Sequence, residues 1–181
     1  MGTHLASKLL YIVCYCFLLP KFACAEEHQK SLAGEIEETS MTEVTFGESE
    51  PGVDGFQLSL TVKRSIKVKD CQIIAWTEET DPWRTKRSGI KFNLSRTLLP
   101  DLTDEGNPKF GIMDLGEHSS IGVITFSFAP LYQPTSLPQA DQNKVIEQYI
   151  FRMEKMTDSR QHHRLLTALQ RYKDNYCVFS S

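Results

Sequence analysis

Apolar and polar residues alternate strictly at the start of the folded part of this chain. Phe56, Leu58, Leu60 and Val62 are apolar, and Gln57, Ser59, Thr61 and Lys63 between them are polar. A period of two places one set on a buried face and the other in water, which predicts a half-buried strand. Ile66 and Val68 extend it. Cys71-Gln72-Ile73-Ile74-Ala75-Trp76 is a second β-prone run, after a turn near Lys69-Asp70. Ile90, Phe92 and Leu94 alternate with Lys91, Asn93 and Ser95, Phe110 to Met113 is a shorter candidate, and Ile121 to Phe128 puts Ile124, Phe126 and Phe128 on one face before Ala129-Pro130 ends it.

Beyond residue 136 the period lengthens. Ser136-Leu137-Pro138-Gln139 has the layout of a capping box with proline in the first turn. Val145, Ile146, Tyr149, Ile150 and Met153 fall at helical spacing, opposite Lys144, Glu147, Arg152 and Glu154. Asp158, with Gln161 three residues on, opens a second helix whose stripe is Leu165, Leu166, Leu169, Tyr172 and Tyr176. Strands followed by helices predict an α+β fold. The expectation is an antiparallel sheet or small sandwich over about residues 56–128, with C-terminal helices over about 137–176 packed on it.

The first 25 residues follow other rules. Lys8 precedes an unbroken apolar run from Leu9 to Leu19, Pro20 stops it, and Ala23-Cys24-Ala25 supplies a small-x-small exit. That is the layout of a secretory signal cleaved after Ala25. The 11 apolar residues are too few for a membrane-spanning helix, which needs about 20. The expected compartment is extracellular, with no stable membrane anchor after cleavage.

Secretion changes how the cysteines read. Cys14, Cys16 and Cys24 leave with the signal, and Cys71 and Cys177 remain to form one disulfide that staples the helical end onto the sheet. Asn93-Leu94-Ser95 becomes an N-glycosylation site, which expects an exposed Asn93.

Charge divides the mature chain. Residues 26–54 carry nine acids against Lys30 alone, and the rest carries 17 basic and 14 acidic residues. The acidic segment is expected to lack structure of its own, as a solvating leader, a propeptide or an intramolecular partner for a basic patch. Pro51 to Gly55 is a turn cluster, so a single α+β domain is expected over residues 55–181.

Arg84-Thr85-Lys86-Arg87, followed by Ser88-Gly89, resembles the recognition sequence of furin-like proprotein convertases. The resemblance covers these residues alone and implies cleavage after Arg87. A cut there with Cys71 and Cys177 bridged gives two chains joined by one disulfide. The other reading is a solvated basic loop that binds acidic glycans.

No catalytic or metal-binding constellation stands out. His162 and His163 are adjacent and point about 100° apart on a helix. Asp101 to Ile112 has glycine at the sixth position of a calcium loop but Thr103 at the third and Ile112 at the twelfth. Gly116 to Gly122 holds His118 beside Ser119 without the nucleophile-elbow spacing. The expectation is a secreted, non-enzymatic glycoprotein without cofactor or metal, which binds an extracellular or cell-surface protein and no nucleic acid. The alternatives are a carrier of a small apolar ligand and a hydrolase with a dispersed site.

Overall fold

The computed structural model describes residues 25–47, 59–104, 110–114, 120–138, 145–154, 156 and 160–177. Two compact units divide at Leu32 and Ala33. In the first unit, residues 25–32 are helical, and Lys30 reaches back one turn to Glu26 at 2.7 Å. This exposed pair is the i, i+4 arrangement that supports helices by a few tenths of a kcal/mol.

The second unit opens with a helical segment over residues 33–40, α1. Among the described residues nine strands follow: β1 Thr42–Phe46, β2 Leu60–Lys69, β3 Gln72–Thr80, β4 Thr85–Asn93, β5 Thr97–Leu98, β6 Phe110–Asp114, β7 Ser120–Phe128, β8 Thr135–Leu137 and β9 Gln148–Glu154. The chain then forms α2, Gln161–Tyr176. A five-stranded antiparallel sheet has the order β1-β2-β3-β4-β8. A second antiparallel sheet is built on β7, with β5 and β6 along one side and β9 along the other.

The alternation of the sequence decides which faces meet. Val62 and Ile66 on β2, Ile73 and Ala75 on β3, and Ile90 and Phe92 on β4 are buried on one face of the first sheet. Phe92 meets Phe126 and Phe128 of β7 with ring centroids 5.1 and 5.2 Å apart, tilted and edge-on. Such geometry adds about 0.5–1.5 kcal/mol per pair to the burial itself. On α2, Leu165, Leu166, Ala168, Leu169 and Tyr172 are buried, and the helix packs on β7. The α+β class, the antiparallel sheets, the C-terminal helix packed on them and the Cys71–Cys177 disulfide are present as expected.

Three expectations need correction. Residues 145–154 were expected as helix, and residues 148–154 instead form β9 beside β7. Tyr149, Phe151 and Met153 also alternate with Ile150, Arg152 and Glu154, and Phe151 and Met153 are fully buried. In so short an apolar run both periods fit, and pairing to β7 decides between them. Ser136 and Leu137, whose pattern reads as a helix cap, sit in β8. The expected helical region of 137–176 thus contains one described helix, which begins at Gln161; the proposed cap Asp158 lies outside the described residues.

The acidic segment is the second correction. Residues 33–46 carry α1 and β1, so the folded unit starts well before residue 55. Ile36 and Val44 are buried, and Glu35, Glu37 and Glu43 pair with Arg171, Lys67 and Lys63 at 3.9, 3.1 and 3.2 Å. Two apolar anchors and complementary charge supply what a compositional count leaves out. Residues 48–54 lie outside the described residues.

Third, Cys71 belongs to a turn rather than a strand. Lys69 pairs with Gln72, leaving Asp70 and Cys71 as a two-residue loop with φ of 49° and 61°. Two positive φ values define the type I′ hairpin, whose twist suits the flanking strands.

Ser40 joins α1 to the first sheet. It is fully buried; its hydroxyl accepts from the Ile66 N–H at 2.7 Å and donates to the Glu37 carbonyl at 2.9 Å. It continues the β1–β2 ladder one step beyond the strand. Ser40→Ala strands a buried N–H, and the expected loss is about 1–3 kcal/mol of unfolding free energy in urea titration. A loss below about 0.5 kcal/mol would show that this junction carries little.

Candidate functional site

The outer face of the first sheet is ordered in rows by strand register. Thr45, Thr61, Thr80 and Thr85 form one row, with hydroxyls paired at 3.1 Å in Thr45–Thr61 and in Thr80–Thr85. Glu43, Lys63, Glu78 and Arg87 form the next, acid and base in turn. Ser65, Trp76, Gly89 and Leu137 follow, then Lys67, Ile74, Lys91 and Thr135, then Lys69, Gln72 and Asn93. A groove of about 600 Å³ lies on this sheet, lined among others by Met41, Lys63, Lys67, Ile74, Trp76 and Arg87.

Trp76 is positioned by its neighbours. Gly89, its partner on β4, has no side chain, and a Cβ there would lie 3.0 Å from the indole and collide with the Ala75 carbonyl. The Arg87 guanidinium lies 5.7 Å from the indole centroid and donates to Glu78, with its Nε 3.0 Å from the carboxylate. Cation–π attraction of about 0.5–1 kcal/mol thus orients an exposed ion pair.

The convertase-like residues lie on the same hairpin. Asp81 closes its tip, its carboxylate accepting from the Trp83 and Arg84 backbone N–H groups at 2.9 Å each. The Trp83 backbone N–H is the main cause holding the Asp81 carboxyl below its ordinary pKa, with Arg84 adding to it. Trp83, Arg84, Lys86 and Arg87 are exposed. The Arg87–Ser88 bond, however, lies within β4, where residues 85–93 pair with β3. A protease cleft that takes this stretch as an extended strand must first peel β4 from β3.

Asn93 is half-buried rather than exposed, at the end of β4. Its side-chain oxygen accepts from the Ser95 N–H and hydroxyl at 2.8 and 2.7 Å, capping a short 3-10 turn over Leu94–Arg96. Its backbone N–H donates to the Tyr132 hydroxyl at 2.6 Å. Cys71 and Cys177 are bridged, with Cα atoms 5.5 Å apart. Ala25 begins the described helix, and Ala23 lies outside the described residues, as do His118 and Ser119. His162 and His163 both pack against Phe110, at centroid distances of 5.2 and 5.7 Å. Among the described residues no three His, Cys, Asp or Glu side chains gather as metal ligands.

Two features escaped the sequence reading. The first is Arg64, which the alternation of β2 puts on the inward face and which pairs with Glu154 of β9. The two side chains are 17% and 14% exposed. Burial lowers the Arg64 pKa, and burial likewise raises that of Tyr149, against the pull of Arg64 and a Thr77 hydrogen bond. A cation in an apolar strand position was the available signal.

The second is the turn after β7. Tyr132 N–H donates to the Ala129 carbonyl at 3.1 Å, with Pro130 and Leu131 between them. Leu131 has φ of 65° and is fully exposed. This is type II geometry, where glycine or asparagine is the usual third residue. Leu131 and the exposed Val145 line a cleft of about 360 Å³ with Pro130, Tyr132 and Ile146. Exposed Leu98 lies beside Ser127, which lines the same cleft.

Folded protein incubated with a furin-like convertase is expected to be cut at least tenfold more slowly than reduced, denatured chain. Any product should run as one band without reductant and two with it. Equal rates would show that β4 opens freely at the Arg87–Ser88 bond. No helix among the described residues is long and apolar enough to cross a membrane. Comparison with protein-family models, with curated proteins and with solved structures found no match to this chain.

Proposed function

We propose that this chain is a secreted, non-enzymatic glycoprotein that acts by docking another extracellular protein through the Ala129–Tyr132 turn. The observation that carries the reading is Leu131. A β-carbon at positive φ costs about 1–2 kcal/mol. A fully exposed leucine there recovers nothing by burial within its own chain. Strained residues of this kind cluster at active sites, ligand clamps and switch regions, where the strain is part of the function. Pro130 and Val145 beside it extend an apolar rim that would be buried together in a complex. The signal-like start, the Cys71–Cys177 bridge and the sequon at Asn93 support the extracellular setting. Processing after Arg87 would make the secreted form a precursor.

Expression in a secreting cell line tests the setting. The protein should reach the medium without residues 1–25. Peptide N-glycosidase should shift its mobility, and Ser95→Ala should abolish that shift. Retention in the cell with those residues intact would overturn it.

The docking element is tested by Leu131→Gly. Labelled wild-type protein should bind cells saturably at sites that survive glycosaminoglycan lyases and are lost to surface proteolysis. The variant should bind at least tenfold more weakly, about 1.4 kcal/mol, with an equal or higher melting temperature. Unchanged binding would leave Leu131 without a role.

A further inference from the structure

We propose a second and separate binding site: the outer face of the five-stranded sheet takes a sulfated glycosaminoglycan chain. Lys63, Lys67 and Lys69 on β2 and Arg87 and Lys91 on β4 share this face and flank β3, which carries Ile74 and Trp76 between them. Adjacent rows lie about 7 Å apart along the strands, and Lys67 and Lys91 are separated by about 9.5 Å across one intervening strand. Five cations are thereby spread over a plane, where a polyanion with charges on both of its edges can reach them together.

The carboxylates on the face do not cancel this array. Glu43, Glu78 and Glu37 pair with Lys63, Arg87 and Lys67. These pairs are largely exposed, and such pairs are worth about 0–1 kcal/mol, so a sulfate can displace them. Among the described residues Lys69 and Lys91 have no carboxylate partner. Bringing several cations to a polyanion releases its condensed counterions, which supplies affinity that depends steeply on salt.

Trp76 supplies the second, independent element. Its row neighbours Ser65 and Gly89 are small, and Arg87 and Lys63 stand in the row on one side, Lys67 and Lys91 on the other. An indole with Arg87 5.7 Å from its centroid, small residues beside it and cations in the rows on either side sets an aromatic group among cations, which suits a pyranose ring carrying sulfates at its edges. An extended acidic peptide is served less well. β2 and β3 are flanked by strands on both sides, so their backbone groups already serve the ladder. β-addition needs an open edge, and this face offers side chains alone.

The test uses the secreted protein from culture medium and three probes: heparin, desulfated heparin and polyglutamate. Wild-type protein should be retained on immobilised heparin at about 0.15 M salt. It should bind soluble heparin at least tenfold more tightly than either other probe. Lys67→Gln with Lys91→Gln should weaken heparin binding about tenfold and lower the slope of log K against log salt by about two. Lys30→Gln, in the other unit, should leave both unchanged. Binding of cells through Leu131 should be unaffected by the double substitution, which separates this site from the docking turn. No retention at that salt overturns the proposal, as does retention indifferent to the two lysines. Polyglutamate binding as tight as heparin's also overturns it, in favour of an acidic protein segment.

Discussion

The Cys71–Cys177 bridge is the constraint on which most of the second unit depends. It joins residues 106 apart in sequence, the turn between β2 and β3 to the residue that ends α2. In the chain-entropy model a loop of about 100 residues gains about 4.7 kcal/mol from such a link. The residue it anchors, Cys71, has a φ of 61° because it is the second residue of the β2–β3 turn. Neighbouring contacts then close around it. The Leu94 N–H donates to the Cys71 carbonyl at 2.8 Å, and Lys173 on α2 donates to the Thr97 carbonyl at 2.6 Å. At the other end of α2, the Gln161 amide donates to the Thr39 carbonyl at 2.8 Å. The helix is thus fastened covalently at its C-cap, Cys177, and at its first residue by a hydrogen bond to the end of α1. Between those points its apolar stripe packs on β7.

The same bridge sets the consequence of a cut after Arg87. The two fragments would remain joined at Cys71–Cys177 and along the β3–β4 ladder. Cleavage would therefore free two chain ends beside Trp76 without releasing either fragment. Its effect would fall on the outer face, where Arg87 takes part in the cation–π contact.

Strands whose alternation is interrupted by no competing period were legible residue by residue. Val62 and Ile66, Ile90 and Phe92, and Ile124 and Phe126 are buried as their spacing requires. The helical stripe from Leu165 to Tyr172 was legible for the same reason, since sixteen residues allow several turns of one period. Failure came where length removed the discrimination. β9 has seven residues, and its apolar positions satisfy both periods until β7 is present to pair with it. The acidic segment failed differently. Composition measures the average residue, whereas α1 and β1 are held by Ile36, Val44 and the Ser40 hydroxyl. The candidate sites were legible only in part. Ile73-Ile74-Ala75-Trp76 breaks the alternation, and that break marks apolar residues on both faces of β3. Leu131 gave no signal, because φ at one residue is fixed by the Tyr132–Ala129 hydrogen bond and by Pro130 before it.

The two proposed surfaces differ in how they relate to stability, and that difference separates them physically. Leu131 is a local cost, since glycine at its φ would fold at least as well. The outer face carries no such strain. Its rows follow from the register of β1 to β4, and the inward faces of the same strands are fixed by the core. Shifting that register by one residue would bury Lys63 and Lys67 and expose Val62 and Ile66. The core therefore dictates where the cations stand, and any sequence that kept the core could still have placed acids or threonines there. Lysine and arginine at five outward positions around a tryptophan are a choice that folding leaves open, and the proposed polyanion would account for that choice.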